Sequence, residues 1–309
     1  MRIFHKQTTP HIKEDLSSKI YLILIRLLVA AIVLILIYPL YFCVIASFSD
    51  PDAVSMGDTI LWFKGFTLEA YQNVLKEKSL WIGYRNTIIY TVFGTLYNVC
   101  LTIPAAYVCS KTRLPGHKVI LWFFFLTMYI SGGVVPGYLL IKNLGLLNNP
   151  LVLIITGGVN CYYMIVARQY FMTSIPQALY EASEIDGASE FRQFFSVSLP
   201  LAKPIIAVLG LYYAFDNWNG YYQALLYLKD QKYWPLQLVL RQILIKNTNA
   251  ISNIPQGNTA MANDLVRQLY MVRGMKYAII LIASLPLLMI YPFFSKYFAK
   301  GVMIGSVKE

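Results

Sequence analysis

The stretch Leu211–Gln223, LYYAFDNWNGYYQ, concentrates groups that recognise hydroxyl-rich molecules. On a helix of 3.6 residues per turn Tyr212, Asp216, Asn219 and Gln223 share one stripe, with Tyr213 and Asn217 beside it and Trp218 in the same stretch. Carboxylate and amide groups pair with hydroxyls, and aromatic faces stack on the C–H faces of sugars. This is a chemistry of carbohydrate contact along a path. Asp216 is the only acidic residue expected within an apolar run, and such an acid faces a bundle interior or a water-filled cavity. It stands about 13 residues beyond Lys203, or roughly 20 Å along a helix, past the midplane of a membrane and toward the outside. A second use is open to the same groups, because interhelical hydrogen bonds hold transmembrane helices together. Asn160 and Tyr163 are weaker candidates for the path. Ser131-Gly132-Gly133 and Pro136 either open the backbone around a substrate or make a packing kink. There is no H-E-x-x-H, no nucleophile motif and no acid pair suited to glycoside cleavage.

A second constellation lies at Ser174–Pro204, SIPQALYEASEIDGASEFRQFFSVSLPLAKP. Ser174 and Pro176 predict a helix start, with proline in the first turn. Asp186-Gly187 predicts its end, since glycine accepts the left-handed conformation that closes a helix. A second helix is expected from Ala188 to about Val197, stopped by Leu199-Pro200, and Lys203-Pro204 opens the next apolar run. Leu179, Ala182 and Ile185 recur at helical spacing, as do Phe191, Phe194 and Phe195. Glu181, Glu184, Asp186 and Glu190 make the segment acidic, whereas helices that lie on lipid are rich in Lys and Arg. An acidic, knobbed hairpin suits a protein socket better than a lipid surface.

Glu181-Ala182-Ser183, Gly187 and Val197-Ser198-Leu199-Pro200 resemble the EAA motif of bacterial ABC import permeases. The longer forms E-A-x-x-I-D-G-A and F-x-V-x-L-P-L-x-x-P are similar to the carbohydrate branch, with Ser183 where the family usually has a second alanine. Asp50-Pro51, Gly65-Phe66-Thr67, Asn86-Thr87, Ser131-Gly132-Gly133 and Pro235-Leu236-Gln237-Leu238 extend the resemblance to the subgroup importing complex oligosaccharides, over nearly the whole chain. The resemblance implies that the hairpin is a coupling helix docked in a cytosolic ATPase. Glu181, Ala182, Ser183, Asp186, Gly187, Leu199 and Pro200 would then form the contact. Gly187 would permit the corner, Glu181 would make a polar contact and Ala182 would sit where nothing larger fits. It also implies a second, homologous permease in a heterodimer, an extracytoplasmic sugar-binding protein and a place in the bacterial cytoplasmic membrane. The chain has no G-x-x-x-x-G-K-[ST] phosphate loop, so no cofactor is expected on it, and ATP and Mg would be held by the partner ATPase. An ion-coupled secondary transporter is the alternative, but it would need paired coupling groups beyond Asp216.

These segments need elements to position them. The chain has 309 residues, 57% hydrophobic and only 13% charged, against about 25% charged in a soluble domain. Six apolar runs of membrane-spanning length are expected near 22–48, 86–109, 118–141, 150–172, 203–227 and 275–298. The fold class is therefore all-α: a polytopic membrane protein with six transmembrane helices and a cytosolic hairpin, 174–204. Residues 1–21 are expected as a cytosolic N-terminal segment, 49–85 and 228–274 as extracytoplasmic segments, and 299–309 as a cytosolic tail, with 86–298 the permease core. Arg2, Lys6, Lys13, Lys19 and Arg26, then Lys111, Arg113 and Lys118, then Lys296, Lys300 and Lys308 place both termini in the cytosol. Six basic residues within 228–274 run against that rule, which long loops obey poorly. The net charge of +11 reflects helix-end anchoring to membrane lipid rather than nucleic-acid binding, since no contiguous basic face is visible. Cys43, Cys100, Cys109 and Cys161 read as small hydrophobes, and His5, His11 and His117 make no ligand cluster.

Overall fold

In hydrocarbon every backbone N–H and C=O must be satisfied within the protein, so apolar runs of this length become helices. The computed structural model describes residues 16–252, 274–289 and 292, and all regular structure among them is helical. The basic residues expected to fix orientation at 2–13 and 296–308 lie outside the described residues, as does the outer segment 253–273.

Helix α1 (Leu16–Ser47) covers the first expected span, and α4 (Lys78–Ser110) the second. Each is long and apolar enough to cross a membrane alone. Helix α4 begins at Lys78 rather than near 86. Its first turns are helical because they pack on α14 (Leu236–Ser252): a Cβ on Gly83 would lie 3.1 Å from the Leu236 Cα. The short helices α2 (Pro51–Ser55) and α3 (Glu69–Leu75) stand between α1 and α4.

The third, fourth and fifth expected spans are not continuous helices. The third divides into α5 (His117–Tyr129) and α6 (Val134–Asn143), bent by 112°. The break carries Ser131-Gly132-Gly133, with Gly133 at φ +84°. The fourth divides into α7 (Leu151–Ile155) and α8 (Cys161–Thr173) around Gly157-Gly158. The fifth divides at Gly220 into α12 (Lys203–Asn219) and α13 (Tyr222–Tyr227). Glycine favours such breaks because it weakens a helix interior relative to alanine and accepts backbone angles that other residues avoid. Helix α15 (Gly274–Met289) is the described part of the sixth.

Among the described residues a cluster of Val74, Leu80, Trp218, Leu236, Leu240 and Ile279 packs α3, α4, α12, α14 and α15 together, and two further packing centres lie beside it. One joins α4, α8 and α12 through Ile103, Tyr107, Met164, Phe171, Leu209 and Tyr213. The other joins α7 and α13 to Ile141 of α6 and to Leu228 and Leu238, with Tyr233 and Trp234 packed against it. Those two aromatics are half-buried at its edge. Trp62 and Phe66 are exposed, and Trp81 is exposed with its indole N–H donating to the Leu75 carbonyl at 3.0 Å. The apolar side chains of α1 are exposed along most of its length.

Candidate functional site

The hairpin is two helical arms with a corner. Ser174 caps the end of α8 rather than starting the next helix, and Pro176 precedes α9 (Gln177–Ile185). Gly187 adopts φ +71°. The Gly187 N–H donates to the Glu184 carbonyl at 3.0 Å and the Ala188 N–H to the Ser183 carbonyl at 2.9 Å. These are the paired bonds of a Schellman motif, which satisfies carbonyls that a helix end leaves open. Ser189 then caps α10 (Glu190–Arg192).

The second arm does not stop at Leu199-Pro200. It continues through a π-helical segment, Gln193–Ser198, into α11 (Leu199–Leu201), and turns by 76° at Ala202 into α12. A proline ring collides with the carbonyl four residues before it and lacks an N–H. The wider π turn just upstream of Pro200 absorbs both defects without ending the helix.

The arms divide their apolar residues between two faces. Phe194 is buried, its ring 4.9 Å from that of Tyr107 on α4. Ile185, Phe191 and Phe195 are 87%, 79% and 59% exposed. Ser183 is buried and its hydroxyl donates to the Tyr180 carbonyl at 2.7 Å. Glu181, Ala182, Asp186, Gly187 and Pro200 are exposed, and Leu199 is half-buried. A cavity of about 730 Å³ lies between the hairpin and residues 104–115, with Glu181, Tyr180, Phe191 and Arg113 in its wall. Ion pairs close its rim, Arg113 to Glu184 at 3.8 Å and Lys111 to Glu190 at 3.6 Å. Burial pushes the Tyr180 phenol up, and the Ser198 hydroxyl, which donates to it at 3.0 Å, lowers it in part.

The polar stretch on α12 separates into an open face and a packed face. Asp216, Asn219 and Gln223 are exposed and Tyr212 is half-buried. The Tyr163 hydroxyl donates to Asp216 Oδ2 at 2.9 Å, and the Tyr163 ring lies 5.5 Å from that of Tyr212. Gln223 lies past the Gly220 break and accepts from the Thr156 hydroxyl at 3.0 Å. Asn219 donates to the Phe215 carbonyl at 2.9 Å. Tyr213, Asn217 and Trp218 turn inward instead. Trp218 is buried and its indole N–H donates to the Ala283 carbonyl at 3.2 Å. The Tyr213 hydroxyl pairs with Thr102 Oγ1 at 2.6 Å and accepts the Asn160 N–H at 3.0 Å. Asn217 donates to Thr95 at 3.3 Å and to Asn98 Oδ1 at 3.2 Å, and Asn98 donates to the Gly158 carbonyl at 2.8 Å. Asn160 caps α8 through the N–H groups of Tyr162 and Tyr163. These bonds satisfy backbone groups freed at the α7–α8 break.

Sequence reasoning missed the partners on α4. Thr87, Thr95, Asn98 and Thr102 form a stripe at helical spacing, a signal available in the sequence. Lys111 entered only as an orientation charge, and its bond to the buried Gln193, 3.2 Å, had no signal in the sequence. Among the described residues no group of His, Cys, Asp and Glu is placed to hold a metal ion, and the four cysteines are free thiols.

Residues 79–304 match the family model described as binding-protein-dependent transport system inner membrane component. Protein LplC of Bacillus subtilis (strain 168) is 37% identical over 274 residues, covering 89% of this chain and 90% of that protein. The polygalacturonan/rhamnogalacturonan transport system permease protein YtcP of the same organism is 34% identical over 275 residues, covering 89% and 93%. Among solved structures, one chain of a bacterial ABC transporter involved in the import of the acidic polysaccharide alginate is similar, with a TM-score of 0.79 and 32% identity over 92% of this chain and 98% of that one.

Proposed function

The chain belongs to the family of binding-protein-dependent transport system inner membrane components, and from that membership we propose how its two sites divide the work of import. The chain is a permease subunit; the relatives above favour this role over an ion-coupled transporter. In our reading it has six spans with both termini in the cytosol. It pairs with a second, homologous permease and with cytosolic ATPase subunits that hold the ATP and Mg, so the chain itself performs no catalysis. An extracytoplasmic sugar-binding protein delivers an oligosaccharide.

The observation that carries this reading is the hairpin. Its Schellman corner leaves Ile185 and Phe191 largely exposed among the described residues, next to the acidic groups Glu181 and Asp186. Exposed apolar residues with charged neighbours make a surface for another protein. Glu181, Ala182, Ser183, Asp186, Gly187, Leu199 and Pro200 form the coupling set. Ala182 is exposed in this chain, so any limit on its size comes from the partner.

The cargo contacts the open face formed by Tyr212, Asp216, Asn219 and Gln223, with Tyr163 holding the carboxylate. Tyr213, Asn217 and Trp218 shape that face from behind. The test is a purified complex of both permeases and the ATPase in nanodiscs. ATP hydrolysis is followed as its binding protein is loaded from a panel of neutral and uronic-acid oligosaccharides. Stimulation by a subset names the cargo; uptake that persists without ATP hydrolysis overturns the reading.

A further inference from the structure

Lys111 is the first residue after α4, at the cytosolic end of a helix that also packs on α8 and α12. Its side chain does not extend into solvent; it is 22% exposed. Its Nζ lies 4.0 Å from the centre of the Tyr180 ring on the first arm of the hairpin and 4.9 Å from the Tyr107 ring on α4. On the second arm it donates to Gln193 Oε1 at 3.2 Å and pairs with Glu190 Oε2 at 3.6 Å. Gln193 is 1% exposed. A parallel link comes from Tyr107, whose hydroxyl donates to the same Glu190 oxygen at 3.1 Å.

One ammonium therefore joins three elements: α4, α9 and the second arm. A lysine presents three donors on a compact charge, and aromatic faces attract such a charge most when it is shielded from water. A basic residue that merely complements a helix C-terminus has no need of such partners. Without this clasp the two arms are joined to each other by the Ser198–Tyr180 hydrogen bond and the Gly187 corner, and are tied to the end of α4 by ring packing on Tyr107, the Tyr107–Glu190 hydrogen bond and the exposed Arg113–Glu184 ion pair, with no remaining cation between the arms among the described residues.

We propose that Lys111 is a positioning residue for energy coupling: it clasps both arms of the hairpin to the end of α4, so that motion imposed on the hairpin reaches the α4–α12 pair. This inference rests on the coupling role assigned to the hairpin above. It concerns transmission of the movement, not capture of the ATPase.

The test uses the full transporter in proteoliposomes with its binding protein and measures sugar uptake and ATP hydrolysis together. Lys111→Met keeps the apolar stem and removes the charge. The ATPase is expected to co-purify in full while uptake per ATP falls by about tenfold, and Lys111→Arg is expected to restore most of the ratio. Glu190→Gln, at an exposed position, guards against a folding defect and is expected to lower the ratio by a smaller factor in the same direction. A lysine that only stabilises the fold would lower assembly, uptake and hydrolysis together and leave the ratio unchanged, which overturns the proposal, as does a wild-type ratio in Lys111→Met. Loss of hairpin docking is read separately, from co-purification of the ATPase with Gly187→Asp. If that variant retains the ATPase and normal uptake, the coupling role itself fails.

Discussion

Gly187→Asp separates the local role of the hairpin corner from its role as a contact. Gly187 sits at φ +71°, and no atom lies within 4 Å of where a Cβ would be. The substitution therefore meets no clash within this chain. The left-handed conformation costs an L-residue roughly 1–2 kcal/mol. A carboxylate at the C-terminal end of α9 adds about 0.3–1 kcal/mol. The sum, about 1–3 kcal/mol, is below the 5–15 kcal/mol that holds a typical fold together. The variant should still insert in the membrane, yet uptake should fall more than tenfold because the new charge stands beside Asp186 on the surface proposed to meet the ATPase. Gly187→Asn is the matched control, similar in shape and tolerant of the left-handed region but uncharged, and should keep most of the uptake. Uptake in whole cells and pull-down of the ATPase are the assays. Normal ATP-coupled uptake in Gly187→Asp would refute the assignment of this corner to the ATPase.

Glu181→Lys, at an exposed position on the same arm, should abolish uptake while membrane insertion, followed by immunoblot of the membrane fraction, is unchanged; uptake near wild type would remove Glu181 from the contact. Asp216→Ala deletes the acceptor of the Tyr163 hydroxyl and should lower uptake severalfold with the ATPase still bound, whereas Asp216→Asn keeps an acceptor and should lose less. Equal uptake in all three forms would take Asp216 out of the path. Gly94→Ala would place a Cβ 3.0 Å from the Asn217 amide nitrogen, displacing it from Thr95 and Asn98. Two interhelical bonds at about 0.6 kcal/mol each give a loss near 1 kcal/mol. The melting midpoint in detergent should drop by roughly 2–4 °C, and an unchanged midpoint would count against the network.

Much of the hairpin was legible because its instructions are local. Asp186-Gly187 ends a helix in sequence and in structure alike. Pro200 misled for the opposite reason: its effect is absorbed by a π turn that begins at Gln193. The scattered motif pieces were legible as letters, but their purpose needed the fold. Asn86 donates to the Lys232 and Trp234 carbonyls, and Thr87 accepts the Leu236 N–H, so Asn86-Thr87 and Pro235–Leu238 are two halves of one joint. Asp50 and Gly65 likewise meet, with the Asp50 N–H on the Lys64 carbonyl and the position of a Gly65 Cβ 3.0 Å from the Asp50 Cβ. Helical periodicity set Tyr213 and Asn217 beside the Asp216 stripe but could not tell that α4 covers them. Hydropathy found the runs at 118–141, 150–172 and 203–227, and Ser131-Gly132-Gly133 marked the break in the first, yet averaging over a window hides those at Gly157-Gly158 and Gly220.

The polar stripe on α4 also has a consequence for biogenesis. Asn98 leaves the ribosome 60 residues before Gly158, whose carbonyl it will bind, and 119 residues before Asn217. At 5–20 residues per second, Asn98 waits roughly 6–24 s for Asn217 to be synthesised. Of the later pieces, α7–α8 depends on α4 directly, because Asn98 holds the Gly158 carbonyl freed at its break. A nascent permease therefore passes through an interval in which a membrane-embedded helix displays unmet hydrogen-bonding groups. The length of that interval is set by translation speed, so slowing synthesis between Asn98 and Asn217 should prolong it.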